Sequence, residues 1–246
     1  MTLAFWLRSS LTTLVSFSPA ILAAGPVDPP TWEAVDKTLG RPGRVLPGVN
    51  PVVRALQAGG LDVLAIHNHL IGESPQVVYV HFGGHCDAQK VAQALRGALE
   101  ATKTPLAAPG AAPSPSAAET AAFEKVQAVL GRKGALAGRV LQVSVPRGGK
   151  IDEDGMEVPA SAGMATALNF QAVENRVATT GDFVLVAEEV NPVIRELEAH
   201  GIQVTALHSH MLRESPRLFF MHFWRLDEPA RIGEGLKAAL SKVAVQ

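Results

Sequence analysis

The chain contains itself twice. Residues 50–99 align with residues 191–240 at a constant offset of 141, without a gap, and 19 of the 50 positions are identical. "NPVVRALQAGGLDVLAIHNHLIGESPQVVYVHF" faces "NPVIRELEAHGIQVTALHSHMLRESPRLFFMHF". Self-similarity at a fixed spacing means that whatever one copy folds into, the other is built to fold into as well. A second alignment lies upstream: "WEAVDKTLGRPGRVLPG" from Trp32 matches "FEKVQAVLGRKGALAG" from Phe123 at an offset of 91. The two offsets differ by 50, so the second copy carries about 50 residues, 139–189, that the first lacks. The first unit is therefore shortened (31–101) and the second complete (121–246), with the Ala/Pro-rich stretch 102–120 as an extended linker between them.

Within each unit the pattern predicts a helix, a β-hairpin and a second helix. Asn50-Pro51 has the form of a cap followed by proline in the first turn, and Gly59-Gly60 ends the apolar stripe. "LDVLAIHNHL" and "QVVYVHF" alternate as strands, with Val63, Ala65, His67 and His69 expected on one face, and Val77, Tyr79 and His81 on one face of the next strand. "GESP" supplies the turn, and "DAQKVAQALRGALEA" a helix capped by Asp87. In the second unit "RVLQVSV", "ATALNFQAV" and "FVLVAEE" add strands, and Asp154-Gly155 reads as a hairpin turn. The fold class is α+β: two tandem repeat units, each helix–hairpin–helix, the second enlarged by extra antiparallel strands.

Six of the eight histidines form matched pairs across the duplication: His67/His208, His69/His210 and His81/His222. Two histidines two apart on a strand leave the same face, and a third returning on the next strand can join them. Neutral imidazole suits zinc, copper, iron or nickel. Each triplet is thus a candidate transition-metal site, with zinc first and copper or iron as alternatives. Glu73 and Glu214 follow at the spacing H-x-H-x3-E and are candidates for a fourth ligand or for the base that activates bound water. That spacing also matches the first metal motif of cupins, but flanking helices fit a cupin barrel poorly. Neighbouring positions have changed character, Asn68 to Ser209 and Gly83 to Trp224, while the histidines and Glu-Ser-Pro have not. A pseudo-twofold arrangement would place both hairpins in one continuous sheet and both histidine clusters in one cleft.

Other motifs carry less. Ser74 and Ser215 lack a nucleophile elbow. "PRGGK" lacks the setting of a phosphate loop. "DEDG" is too short for a calcium loop. Cys86 has Asp227 as its counterpart. A net charge of −1 is not that of a nucleic-acid binder. The first 24 residues, with Arg8, an apolar run through Leu22 and small residues at Ala23 and Ala24, have the layout of a signal peptide. This predicts a periplasmic or secreted protein with no membrane span once the leader is removed.

"NPV(V/I)R", "(I/L)H-(N/S)-H", "ESP", "(Y/F)-(V/M)-HF" and the preceding "LGR-(P/K)-G" together resemble the LppY/LpqO family of exported bacterial proteins. The resemblance covers nearly all of 31–246. It implies export and a duplicated domain of unknown function, and it supplies neither substrate nor catalytic residues. This chain departs from that family in lacking a lipobox cysteine and in its shortened first unit. Two functions follow from the residues. One is an exported metal-binding protein, acting as a hydrolase, an oxidoreductase or a metal carrier. The other is a metal-free envelope protein that binds a small molecule or an envelope partner and uses its histidines structurally.

Overall fold

The structure, a computed structural model, describes residues 49–84, 87–102 and 112–245. All of them fall in one compact unit, Gly48–Gln246. The expected leader, the segment from Trp32, the middle of the linker, His85 and Cys86 lie outside the described residues.

The described residues are α+β. The first half supplies α1 (Val49–Ala58), β1 (Asp62–His67), β2 (Tyr79–Gly83) and α2 (Ala88–Glu100). The second half opens with α3 (Ala117–Leu130) and continues through β3 (Ala135–Ala137), β4 (Val140–Pro146), β5 (Asp152–Glu153) and β6 (Met156–Glu157). After a 3-10 turn at Ala160–Ala162 come β7 (Ala165–Val173), β8 (Arg176–Leu185), α4 (Ala187–Ala199), β9 (Gln203–His208), β10 (Glu214–Ser215), β11 (Phe219–Asp227) and α5 (Pro229–Leu240).

The main sheet has six antiparallel strands in the order β3-β4-β7-β8-β11-β9. The 50 additional residues supply its middle, because β7 and β8 separate β11 from β4. Alternation assigns its two faces. Leu141, Val143, Val145, Leu168, Phe170, Phe183, Met221 and Phe223 form the buried face. Phe123, Val126, Val193, Leu197, Leu236 and Ala239 cover it from α3, α4 and α5. Ser116 caps α3 with a reciprocal Glu119 bond, and Gly131 closes it in the left-handed region. Arg147, just past β4, is buried and reaches both Glu189 of α4 and the Val184 carbonyl.

The first half has its own small core. Leu56, Leu61, Ala94 and Ala98 are buried between α1, α2 and the two-stranded sheet, with Val63, Val80 and Val91 packed on them. Its hairpin does not join the main sheet: β1 pairs only with β2. The expected continuous sheet is therefore absent among the described residues. The physical reason lies in side-chain placement, since the hairpin presents its histidine face to the second half rather than its edge.

Several local expectations shift. A bulge between Val63 and Ala65 turns Val63 onto the helix side, so Ala65 and His67, but not Val63, share the histidine face. His69 lies in the bend after β1, not in the strand. In the second half the helix begins a turn earlier than Asn191-Pro192, at Ala187, and Pro192 sits inside it. "AEE" belongs to that helix instead of extending β8. The Asp154-Gly155 turn is as expected: both residues have positive φ, and the Asp152 carboxylate accepts the Gly155 amide at 2.8 Å.

Candidate metal centre

The six paired histidines meet at one place. His67 lies against His208, with ring centroids 3.5 Å apart. His69 stacks on His222 at 3.5 Å and His81 on His210 at 3.8 Å. At an offset of 141, residue 69 corresponds to 210 and 81 to 222, so these last two contacts exchange into one another. His67 and His208 exchange into themselves. That reciprocity is the signature of a twofold relation between two like surfaces. Distances within the hairpins agree: His67–His69 and His208–His210 are both 4.9 Å, and His67–His81 and His208–His222 are 4.8 and 4.9 Å.

The backbone reasons are the same in both copies. Ala65 pairs with His81 across β1 and β2, and Ala206 with His222 across β9 and β11. A strand, a bend and a returning strand thus set three imidazoles on one side. The connecting turn is closed identically. Glu73 accepts the Val77 amide at 3.0 Å, and Glu214 accepts the Leu218 amide at 3.0 Å. Asn68 donates to the Val77 carbonyl, and Ser209 to the Leu218 carbonyl. Ser74-Pro75 and Ser215-Pro216 are both cis. A hydrogen bond from Thr205 Oγ1 to the His69 carbonyl, 2.6 Å, ties the halves beside the cluster.

The ligand geometry is carried by Nε2 atoms. The Nδ1–H of His222 donates to the Gly181 carbonyl at 2.9 Å, which in the neutral ring leaves Nε2 with its lone pair. That Nε2 lies 3.3 Å from Nε2 of His208, which in turn is 2.9 Å from Nε2 of His210. Nitrogens sharing one zinc at ~2.0–2.1 Å stand roughly 2.9–3.4 Å apart for angles between square and tetrahedral. Nε2 of His67, His69 and His81 are buried and have no hydrogen-bond partner among the described residues, and neither has Oδ1 of Asp182. Orphaned buried polar atoms cost ~1–3 kcal/mol each. One cation meets the need of several at once.

Three donor groups fall within metal-ligating reach: His67, His69, His208 and His222; His67, His69, His81 and His210; and Asp182, His210 and His222. The first two draw on both halves, so neither hairpin supplies a four-histidine group alone. Asp182 stands 3.9 Å from Nε2 of His222 and 4.0 Å from Nε2 of His210, too far for direct hydrogen bonds. Burial pushes its carboxyl well above the usual range. Burial, and then the neighbouring imidazoles, push His69 and His208 down to about 3. His81 falls to about 4 and His222 to about 3 for the same leading reason, and His210 is lowered further still. The fold therefore holds these rings neutral, the form that binds metal.

Glu73 and Glu214 are in none of the three groups. Their carboxylates serve their own turns, and Glu214, 5% exposed, also meets Arg217 at 3.1 Å. Asp182 is the acidic group at the cluster. Its signal in the sequence is a carboxylate in "TTGDFVLV", a strand whose following residues are apolar. Gly181 beside it is equally constrained: an added Cβ would lie 2.0 Å from the Ala167 carbonyl oxygen and 2.9 Å from the Phe223 ring.

The two flanks of the cluster differ. Tyr79 stacks on His69 at 3.5 Å and is 38% exposed. Its counterpart Phe220 stacks on His210 at 3.6 Å and is fully buried. Leu70 lines a cavity of about 320 Å³ that reaches His69, His222 and Asp182, whereas its counterpart Met211 is buried in a closed apolar cluster with Ile151, Met164 and Leu218. Access to the histidines runs along the Tyr79 side.

The family model for Domain of Unknown Function (DUF1259) matches residues 45–101 and 124–242. The chain belongs to that family. The two matched segments interrupt at the linker and between them contain all six clustered histidines. No curated protein and no solved structure matches the chain.

Proposed function

We propose that this DUF1259 chain is an exported protein that binds one transition-metal centre between its two tandem helix–hairpin–helix units. The observation that carries the reading is that two overlapping four-histidine groups draw ligand nitrogens from both hairpins, while Nε2 of His67, His69 and His81 is buried without a hydrogen-bond partner among the described residues. An all-nitrogen set with one nearby carboxylate favours zinc, with copper or iron as the alternatives. The metal would be held by imidazoles from both halves, with Asp182 as a further ligand or as the group that accepts a proton from bound water. Glu73 and Glu214 are assigned to holding the two turns. A metal centre reached by a one-sided cavity suits a hydrolase or an oxidoreductase better than a closed structural site. The leader-like first 24 residues support a periplasmic or secreted location.

The metal-free alternative, with the histidines as packing groups, would be favoured by imidazoles pointing to different faces. They share one. The test is elemental analysis of untagged protein, followed by calorimetric titration of the metal-free form with zinc and copper. Near-stoichiometric metal supports the reading. No metal as purified and none on reloading refutes it.

A further inference from the structure

Beyond the histidines, the open face of the main sheet carries a row that nothing so far explains. Cross-strand pairing places Gln142 opposite Asn169, Asn169 opposite Thr180, and Thr180 opposite Trp224. These four residues run side by side over four strands, each about 4.8 Å from the next. The neighbouring row is Ala167, Asp182 and His222, the edge of the metal centre. Asn169 and Thr180 also line the 320 Å³ cavity that reaches His69 and His222. The cleft therefore runs from the candidate ligands to Asn169 and Thr180, the middle of this row, with Gln142 and Trp224 beside them on the adjoining strands.

Its chemistry is specific. The cavity is lined by an amide, a hydroxyl and a phenol, Asn169, Thr180 and Tyr79, with no lysine or arginine among its lining residues. Asp182 is its acidic group, so the walls offer an anion no cationic side chain. Gln142 donates to Oδ1 of Asn169 at 3.2 Å, which fixes that amide and leaves its NH2 to meet a ligand. Trp224 and Tyr79, each 38% exposed, supply aromatic surface on the same side of the sheet. Trp224 stands where the first half has Gly83, and Asn169 and Thr180 lie in the segment only the second half possesses. The equivalent flank, at Phe220 and Met211, is closed.

We infer that this cleft binds a small neutral, hydroxyl-rich molecule, of the size of a single sugar ring, beside the metal. Amide and hydroxyl side chains meet its hydroxyl groups while exposed aromatic rings cover its apolar C–H faces, and the orienting polar groups are few, as in small-molecule sites generally. This rests on the proposed metal centre for its position but not for its walls.

The test titrates full-length protein, metal-loaded and metal-free, with glucose, myo-inositol and inorganic phosphate, by calorimetry and by tryptophan fluorescence. Metal content is measured on each sample. Saturable binding of a neutral polyol, weakened about fivefold or more in Asn169→Leu and in Trp224→Gly, supports the inference. Trp224→Gly gives this strand the residue of the other half, and urea unfolding of the variant, read beside its binding, separates lost recognition from lost folding. Phosphate binding to the metal-free protein as tightly as the polyols, or polyol binding indifferent to both variants, overturns it, as does no polyol binding by a sample shown to hold metal. Polyol binding by protein that never takes up metal would sustain the cleft while refuting the metal centre.

Discussion

Replacing His67 with alanine tests whether the two halves share one centre. His67 belongs to the shortened half, yet it occurs in both four-histidine groups and lies 3.5 Å from His208 by ring centroid. If each hairpin held its own ion, His67→Ala would leave the second half's site intact. If the centre is shared, the substitution removes a ligand from either grouping. Loss of one of four ligands is expected to weaken binding by at least the 10–100-fold typical of second-shell changes. Metal at 100 times its Kd stabilises a fold by ~2.7 kcal/mol, and a hundredfold loss of affinity removes nearly all of it. For a unit of this size that is a fall of about 5–11 °C in the Tm of the metal-loaded protein. The metal-free Tm should move much less, because His67 makes no hydrogen bond stronger than a 3.4 Å contact to its neighbour's carbonyl. The assay is thermal unfolding with and without added zinc, with metal titration on the same samples. His200→Ala is the control, since His200 bonds the Glu196 carbonyl away from the cluster. Wild-type metal affinity and stoichiometry in His67→Ala, within threefold, would refute the shared centre.

Three further outcomes follow from the same geometry. His222 has a folded pKa of about 3 against 6.5 unfolded, so the unfolded chain binds more protons between those values. The His222 contribution to metal-free stability is then nearly complete above pH 6.5 and falls as pH falls, and this nearly buried ring alone contributes a loss of ~2 kcal/mol by pH 5. Urea unfolding across pH 5–8 reads this, and a flat profile counts against neutral burial. Asp182→Asn should reduce metal affinity while leaving metal-free stability equal or higher, because a desolvated carboxyl whose Oδ1 has no hydrogen-bond partner among the described residues is removed; isothermal titration and urea unfolding separate the two effects. Glu214→Ala should cost ~1–3 kcal/mol in urea unfolding through the unsatisfied Leu218 amide, with metal affinity changed less than threefold. A large loss of metal with little loss of stability would return Glu214 to the ligand set.

Much of the arrangement was readable from residue spacing. The 141-residue offset marks both hairpins, the three histidines of each, and the missing middle of the first unit, because repeats preserve register. Strands β4 and β7 follow from alternation, and β5–β6 from Asp154-Gly155. What spacing does not show is how the two hairpins meet. Spacing gives each copy its own triplet, whereas each four-histidine group draws on both copies. The repeated glutamates each accept the amide four residues on, a bond that closes the turn in both copies and that spacing alone does not reveal. Asp182 lies in the segment that only the second half possesses, so the repeat does not mark it. The bulge at Val63/Ala65, the early start of α4 and the separation of the small sheet from the large one are tertiary outcomes. Strand pattern alone does not encode them.

Whether one metal centre is built from both halves is read by anomalous diffraction from crystals of zinc- or copper-loaded protein, collected at the metal edge. A shared centre gives metal density among the clustered imidazoles, with ligands drawn from His67, His69 and His81 together with His208, His210 and His222. Metal bound separately on each hairpin with ligands from that hairpin alone, or no metal at the cluster in protein shown to contain it, would refute the shared centre.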